Sequence, residues 1–133
     1  MPAFAQQAAN AYRQTEAQSR TPLELVVMLY DGALTFLGAA RRAIERNDIA
    51  ARREAISRTL AILSELQSTL DMDKGGAVAE SLDRLYRYLV ERLLDASTRR
   101  DVQPIDETVR LLTTLREAWA DVARQTAPVQ AVR

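Results

Sequence analysis

The side chains of this chain with the means to do chemistry are few. They are five scattered carboxylates, Glu24, Asp31, Glu80, Glu91 and Glu107, and one acidic turn, Asp71-Met72-Asp73-Lys74-Gly75-Gly76. Two carboxylates facing each other in a cleft could act as general acid and base, if their surroundings held their pKa values apart. The spacing of these five puts most of them on solvated faces, and no feature marks a cleft. The acidic turn begins like a calcium loop but lacks the third oxygen ligand, the length and the closing bidentate Glu. Lys74-Gly75-Gly76 ahead of a helix could hold an anion on its backbone amides, yet it is no phosphate-binding motif without the rest of that loop. It reads as a plain turn.

Cysteine and histidine are absent from the 133 residues. Their absence removes disulfides, thiolate nucleophiles, Cys or His metal sites, Ser-His-Asp triads and the Glu-x-x-His pairs of di-iron bundles. No catalytic residue, cofactor or metal is expected, and the chain reads as a non-enzyme. Eighteen Lys and Arg balance eighteen Asp and Glu, so the footprint of a general nucleic-acid binder is missing. Arg52-Arg53 and Arg99-Arg100 read as solvated helix ends. No apolar run approaches a membrane span, so no membrane insertion is expected. The N-terminus lacks a basic region followed by an apolar core, so the default location is the cytoplasm.

Binding is better supported than chemistry. Tyr86 and Tyr88 lie about 160° apart on a helical wheel, flanking a Leu82/Leu85/Leu89 stripe on either side. They either seal bundle edges with their hydroxyls in water or meet a partner. Trp119 sits on a core stripe and reads as packing. Met28 lies off the apolar arc of its helix, which suits an exposed, adaptable contact.

These residues need helices to position them, and the helix signals are clear. Thr21-Pro22-Leu23-Glu24 supplies an N-cap, a first-position Pro and the Glu of a capping box. The first helix is expected from Pro22 to about Arg46, with Asn47-Asp48 ending it and capping the next. The second carries Ile49, Ile56, Leu60, Leu63, Leu66 and Leu70, and is expected to stop in the Asp71–Gly76 turn. The third has Val78, Leu82, Leu85, Leu89 and Leu93 as its stripe. After a break at Arg99-Arg100-Asp101, the fourth carries Ile105, Val109, Leu112, Leu115, Trp119 and Val122. Four such helices on short links predict an all-α, antiparallel up-down four-helix bundle over residues 21–125. Residues 126–133 read as a flexible tail. Residues 1–20 form a leader, a short helix or disordered, with Phe4, Ala8 and Tyr12 on one thin face.

The first helix is apolar over an arc of roughly 200°, where a bundle helix usually needs a stripe of about 100° or somewhat more. Val90 and Leu94 widen the arc of the third. Either the first helix is central, or these surfaces are reserved for a partner: another protein's amphipathic helix, a second copy, or the leader.

In order and spacing these residues resemble the FliS family of flagellin-specific export chaperones. The matching pieces are Tyr12, Thr21-Pro22-x-Glu24-Leu25, Met28-Leu29-Tyr30-Asp31-Gly32-Ala33, Asn47-Asp48 and Leu70-x-Met72-x-Lys74-Gly75-Gly76. Leu82-x-x-Leu85-Tyr86-x-Tyr88, Arg92-Leu93-x-x-Ala96, Asp101 and Ala118-Trp119 continue the series. Ser97 stands where the family often has Asn, and Phe4 replaces a more usual extra Tyr. The resemblance implies a chaperone of the bacterial cytosol, without catalytic activity. It would mask the C-terminal segment of flagellin, prevent premature polymerisation and support export by the flagellar type III system. Leu25, Met28, Leu29, Tyr86, Tyr88 and Val90 are then expected to line the flagellin-binding surface. Lys74 and Arg92 would pair with client carboxylates at the rim, and Phe4 and Tyr12 would belong to a lid. Export-gate and regulatory proteins are further candidate partners, and the chain is expected to be a monomer or weak homodimer. The competing readings are a self-associating structural bundle and an adaptor for another amphipathic client.

Overall fold

Thr21 opens the first helix through a reciprocal pair of hydrogen bonds. Its Oγ1 accepts from the Glu24 N–H at 3.2 Å, and its own N–H donates to Glu24 Oε1 at 3.3 Å. This is the capping box the sequence signals. A computed structural model describes residues 21–126. Its helices are α1 (Pro22–Glu45), α2 (Ile49–Ser68), α3 (Met72–Thr98) and α4 (Gln103–Thr126). The proposed leader and most of the tail lie outside these residues. Thr21→Ala should lower stability by about 1 kcal/mol, read from a urea melt with unchanged slope.

The links are short because each is built from caps. Asn47 adopts a left-handed φ of 61°. Its N–H and that of Asp48 return to the Ile44 and Ala43 carbonyls at 3.1 and 2.8 Å, a Schellman ending. Asp48 then caps α2 by accepting from the Ala51 N–H at 3.0 Å. Asp101 Oδ1 accepts from the Gln103 N–H at 2.9 Å and starts α4. Links this short force consecutive helices antiparallel, and α1 packs on α2 and α4 while α3 closes the ring against the same two. The core is Tyr30, Leu37 and Ile44 of α1, Ile56, Leu63 and Leu66 of α2, Tyr86, Leu89 and Leu93 of α3, and Ile105 and Leu112 of α4. Thr59 and Thr108 are fully buried, and each hydroxyl bonds the carbonyl four residues back, of Ala55 and Pro104.

Several expectations need correction. The Asp71–Gly76 segment is not a loop: α2 ends at Ser68, Asp71 caps α3 by accepting from the Lys74 N–H, and Met72 already begins the helix. Gly76 alone leaves helical geometry, at φ 52° and ψ −128°. Ile49, Val78 and Val122 are exposed rather than core. At the end of α4 the buried positions are Ala120 and Ala123, because a straight helix drifts away from any regular 3- and 4-residue stripe. Arg52 is buried rather than solvated: its Nη2 donates to the Ser97 carbonyl at 3.2 Å, and its Nε has no partner among the described residues. Ser97 therefore lies inside α3, where its carbonyl takes a cation, and Arg99 makes the cap. Finally, α1 is long and apolar enough by length and composition to cross a membrane. A search for unbroken apolar runs misses this, since Asp31 and Gly32 interrupt the run while the average stays apolar. Here α1 serves as a wall of the bundle, with Tyr30, Ala33, Leu37 and Ala40 buried.

Candidate functional site

Antiparallel packing brings the start of α1, the end of α2, the start of α3 and the end of α4 to one end of the bundle. That end is incompletely filled. No residue of α1 before Tyr30 is fully buried, and residues 71–78 at the start of α3 are all exposed. Between them lies a cavity of about 600 Å³, within the size range of ligand sites. Leu23, Leu25, Val26 and Leu29 form one wall, Val78, Ala79, Leu82 and Tyr86 the other, with Leu70 and Trp119 at the sides. Glu65, Asp71 and Lys74 give this apolar space a polar edge of both signs. Exposed Leu25, Met28, Met72, Val78 and Val122 belong to the same end of the bundle, and Leu25 and Val78 among them line the cavity.

Polar groups meet at the cavity's side. Tyr30 and Tyr86, on opposite helices of the ring, place their hydroxyl oxygens 2.5 Å apart, and Trp119 Nε1 donates to Tyr30 Oη at 3.1 Å. Burial raises both phenols above the ordinary tyrosine range. Tyr86 therefore neither seals an edge nor holds its hydroxyl in bulk water, since its side chain is buried. Its spacing could not reveal this, because Tyr30 and Trp119 come from other helices.

Tyr88 and Arg92 lie elsewhere, on the seam between α3 and α4. Arg92 Nε and Tyr88 Oη donate to the two oxygens of Glu107 at 2.8 and 2.7 Å. These two bonds, Arg92's first, hold the Glu107 carboxyl below the usual carboxylate range. Arg92 and Glu107, with Gln103, Asp106 and Arg110, border a second, polar pocket of about 340 Å³. The carboxylate is used by its neighbours rather than left free for acid–base work. Glu24 is likewise occupied in its capping box, and Asp31 pairs with Arg116 at 2.8 Å.

The eight residues expected on one binding surface thus divide. Leu25, Leu29, Lys74 and Tyr86 line the apolar cavity; Tyr88 and Arg92 belong to the α3–α4 seam. Met28 is exposed beside α1's cavity wall, and Val90 is half-buried against the core. Phe4 and Tyr12 fall outside the described residues. The cavity wall also includes Val26, Leu70, Ala79 and Leu82; periodicity puts Leu70 and Leu82 on core stripes and so hides them. Among the described residues, no group of three or more acidic, His or Cys side chains could hold a metal.

Residues 5–126 match the family described as flagellar protein FliS. The chain is 39% identical over 118 residues to the flagellar secretion chaperone FliS of Salmonella typhimurium, covering 85% of this chain and 87% of that protein. It is 40% identical over 113 residues to that of Campylobacter jejuni, covering 85% and 88%. It is 32% identical over 124 residues to FliSB of Pseudomonas aeruginosa, covering 90% and 98%.

Proposed function

The chain belongs to the FliS family of flagellar secretion chaperones, and from that premise we propose that it holds the C-terminal segment of newly made flagellin in the cavity at the α1/α3 end. The observation that carries this reading is the cavity itself, about 600 Å³ of largely apolar space with exposed Leu25 and Val78 in its walls. A helical client laying its apolar face there would remove both surfaces from water, at about 25 cal/mol per Å² of apolar area. Holding that segment keeps flagellin from polymerising in the bacterial cytosol and leaves it ready for the export apparatus. The role is binding and release, with no bond made or broken.

Residues 1–20 join the bundle at Thr21, next to Pro22 and Leu23 on the cavity's edge. That continuity supports the leader, through Phe4 and Tyr12, as a lid that competes with the client. Lys74, at the cavity's edge, would meet a client carboxylate, while Tyr88 and Arg92 would act on a second face.

Titration calorimetry of the full chain against a peptide from the C-terminal end of flagellin tests the reading. Tight one-to-one binding that strengthens when residues 1–20 are deleted supports chaperone and lid together. Binding indifferent to the deletion keeps the chaperone and removes the lid. No binding by either form overturns the flagellin reading in favour of self-association or another client.

A further inference from the structure

Three hydrogen-bond donors meet beside the cavity, and only two hydrogen bonds join them among the described residues: Trp119 Nε1 to Tyr30 Oη, and Tyr30 Oη to Tyr86 Oη. An indole N–H can only donate, and each phenol carries a single proton. If Tyr30 donates to Tyr86, the Tyr86 proton is left over. If Tyr86 donates to Tyr30, the Tyr30 proton is left over. One phenol proton is surplus in either arrangement, and burial keeps both phenols protonated throughout the physiological range.

The two arrangements differ in where the surplus goes. Tyr30 is fully buried and does not border the cavity, and its oxygen already accepts from Trp119. A free proton there would face only packed side chains, the costly case of an unsatisfied buried donor. Tyr86 is almost as buried, at 1% exposed, but unlike Tyr30 it is one of the residues that line the cavity. We infer that Tyr30 donates to Tyr86, and that the phenol hydrogen of Tyr86 is a donor aimed into the cavity, made for a carbonyl oxygen of the helical segment that occupies it.

The consequence is selectivity and register. A wholly apolar segment would cover this donor and leave it unsatisfied, whereas a segment offering a carbonyl at the right turn would satisfy it. Two sources share that chemistry: a side-chain amide of Asn or Gln, or a main-chain carbonyl left open where a client helix ends. The inference rests on the cavity being the client site, as proposed above.

The test uses the full chain and the flagellin C-terminal peptide by calorimetry. Tyr86→Phe keeps the ring and removes the donor, and should weaken binding by about three- to tenfold. Tyr30→Phe disturbs the same buried pair and takes the acceptor from Trp119, so it should melt lower, but it leaves the Tyr86 donor and should bind like the wild type. Unchanged binding by a folded Tyr86→Phe overturns the inference, as does an equal loss from Tyr30→Phe. Repeating the pair with the peptide's Asn and Gln residues replaced by Ala identifies the acceptor. A difference that disappears supports the donor acting on a side-chain amide; one that persists supports it acting on a main-chain carbonyl. If the wild type binds no peptide, the flagellin reading fails separately, and the donor is tested on the chain alone. The same measurement serves if Tyr86→Phe does not fold. Hydroxyl exchange followed by the isotope shift on labelled tyrosine carbons should show Tyr86 exchanging faster than Tyr30, and the reverse order overturns the assignment.

Discussion

Leu63→Asp should unfold the bundle, while Leu25→Asp should leave its melting nearly unchanged and abolish client binding. The two leucines belong to the same apolar inventory in the sequence, and their surroundings separate them. Leu63 is 0% exposed in the second half of α2 and packed within the core. A carboxylate there has no partner, so it must be buried charged or protonated at a penalty of several kcal/mol. Added to the lost packing of about 2–5 kcal/mol, that penalty is comparable to the whole stability of a small domain. Leu25 is 36% exposed in the first turns of α1. Aspartate there stays hydrated, and a negative charge near a helix N-terminus is mildly favourable. Only an occupant that dries the cavity would strip its water, and a loss of at least about a hundredfold in affinity follows. Circular dichroism melts and peptide titration of both variants check the pair. A Leu25→Asp chain that binds like the wild type would remove the cavity as the client site.

Much of this architecture could be read in one dimension because its determinants are local. The Thr21–Glu24 box, Asn47 with Asp48, and Asp101 each act within a few residues, and each does in three dimensions what its spacing signals. The start of α3 could not be read in the same way. Two adjacent glycines signal a turn, but only Gly76 takes the left-handed backbone, while Gly75 stays helical behind the Asp71 cap. Arg52 looked solvated beside Arg53 because nothing near it in sequence announces the Ser97 carbonyl that draws it inward. The cavity posed the same difficulty. A wheel shows that α1 is apolar too far round, but whether Val26 meets a neighbour or a void depends on how far the ends of α1 and α3 lie apart. The tyrosine pair and the Arg92–Glu107 contact each join two helices, so no periodicity within one helix could give them.

Gly76→Ala should cost the client more than it costs the fold. Gly76 sits at φ 52° and ψ −128°, and a Cβ added there would meet no atom within 4 Å. The penalty is therefore one of backbone strain rather than collision, about 1–3 kcal/mol for a conformation that L-residues rarely adopt. The turn it joins to the rest of α3 is exposed throughout, and its first amides are held by the Asp71 cap. The Gly75 N–H reaches the Asp71 carbonyl at 2.7 Å, and the Lys74 N–H reaches the Asp71 carboxylate at 3.0 Å. Such a turn can open without the core, which caps how much of the strain global melting registers. Alanine should therefore shift the melting temperature little while exposing the Lys74 and Gly75 amides to rapid hydrogen exchange. Lys74, Gly75 and Val78 also line the cavity, so an occupant must restore the strained backbone to regain that wall. The strain then appears in the binding constant, as an affinity loss of about five- to 150-fold. Gly75→Ala is the contrasting variant: its backbone is already helical, but its Cβ would lie 2.7 Å from that of Ala79, so it acts through crowding. A Gly76→Ala chain with wild-type affinity and protected Lys74 and Gly75 amides would mean that the turn is not a wall the client depends on.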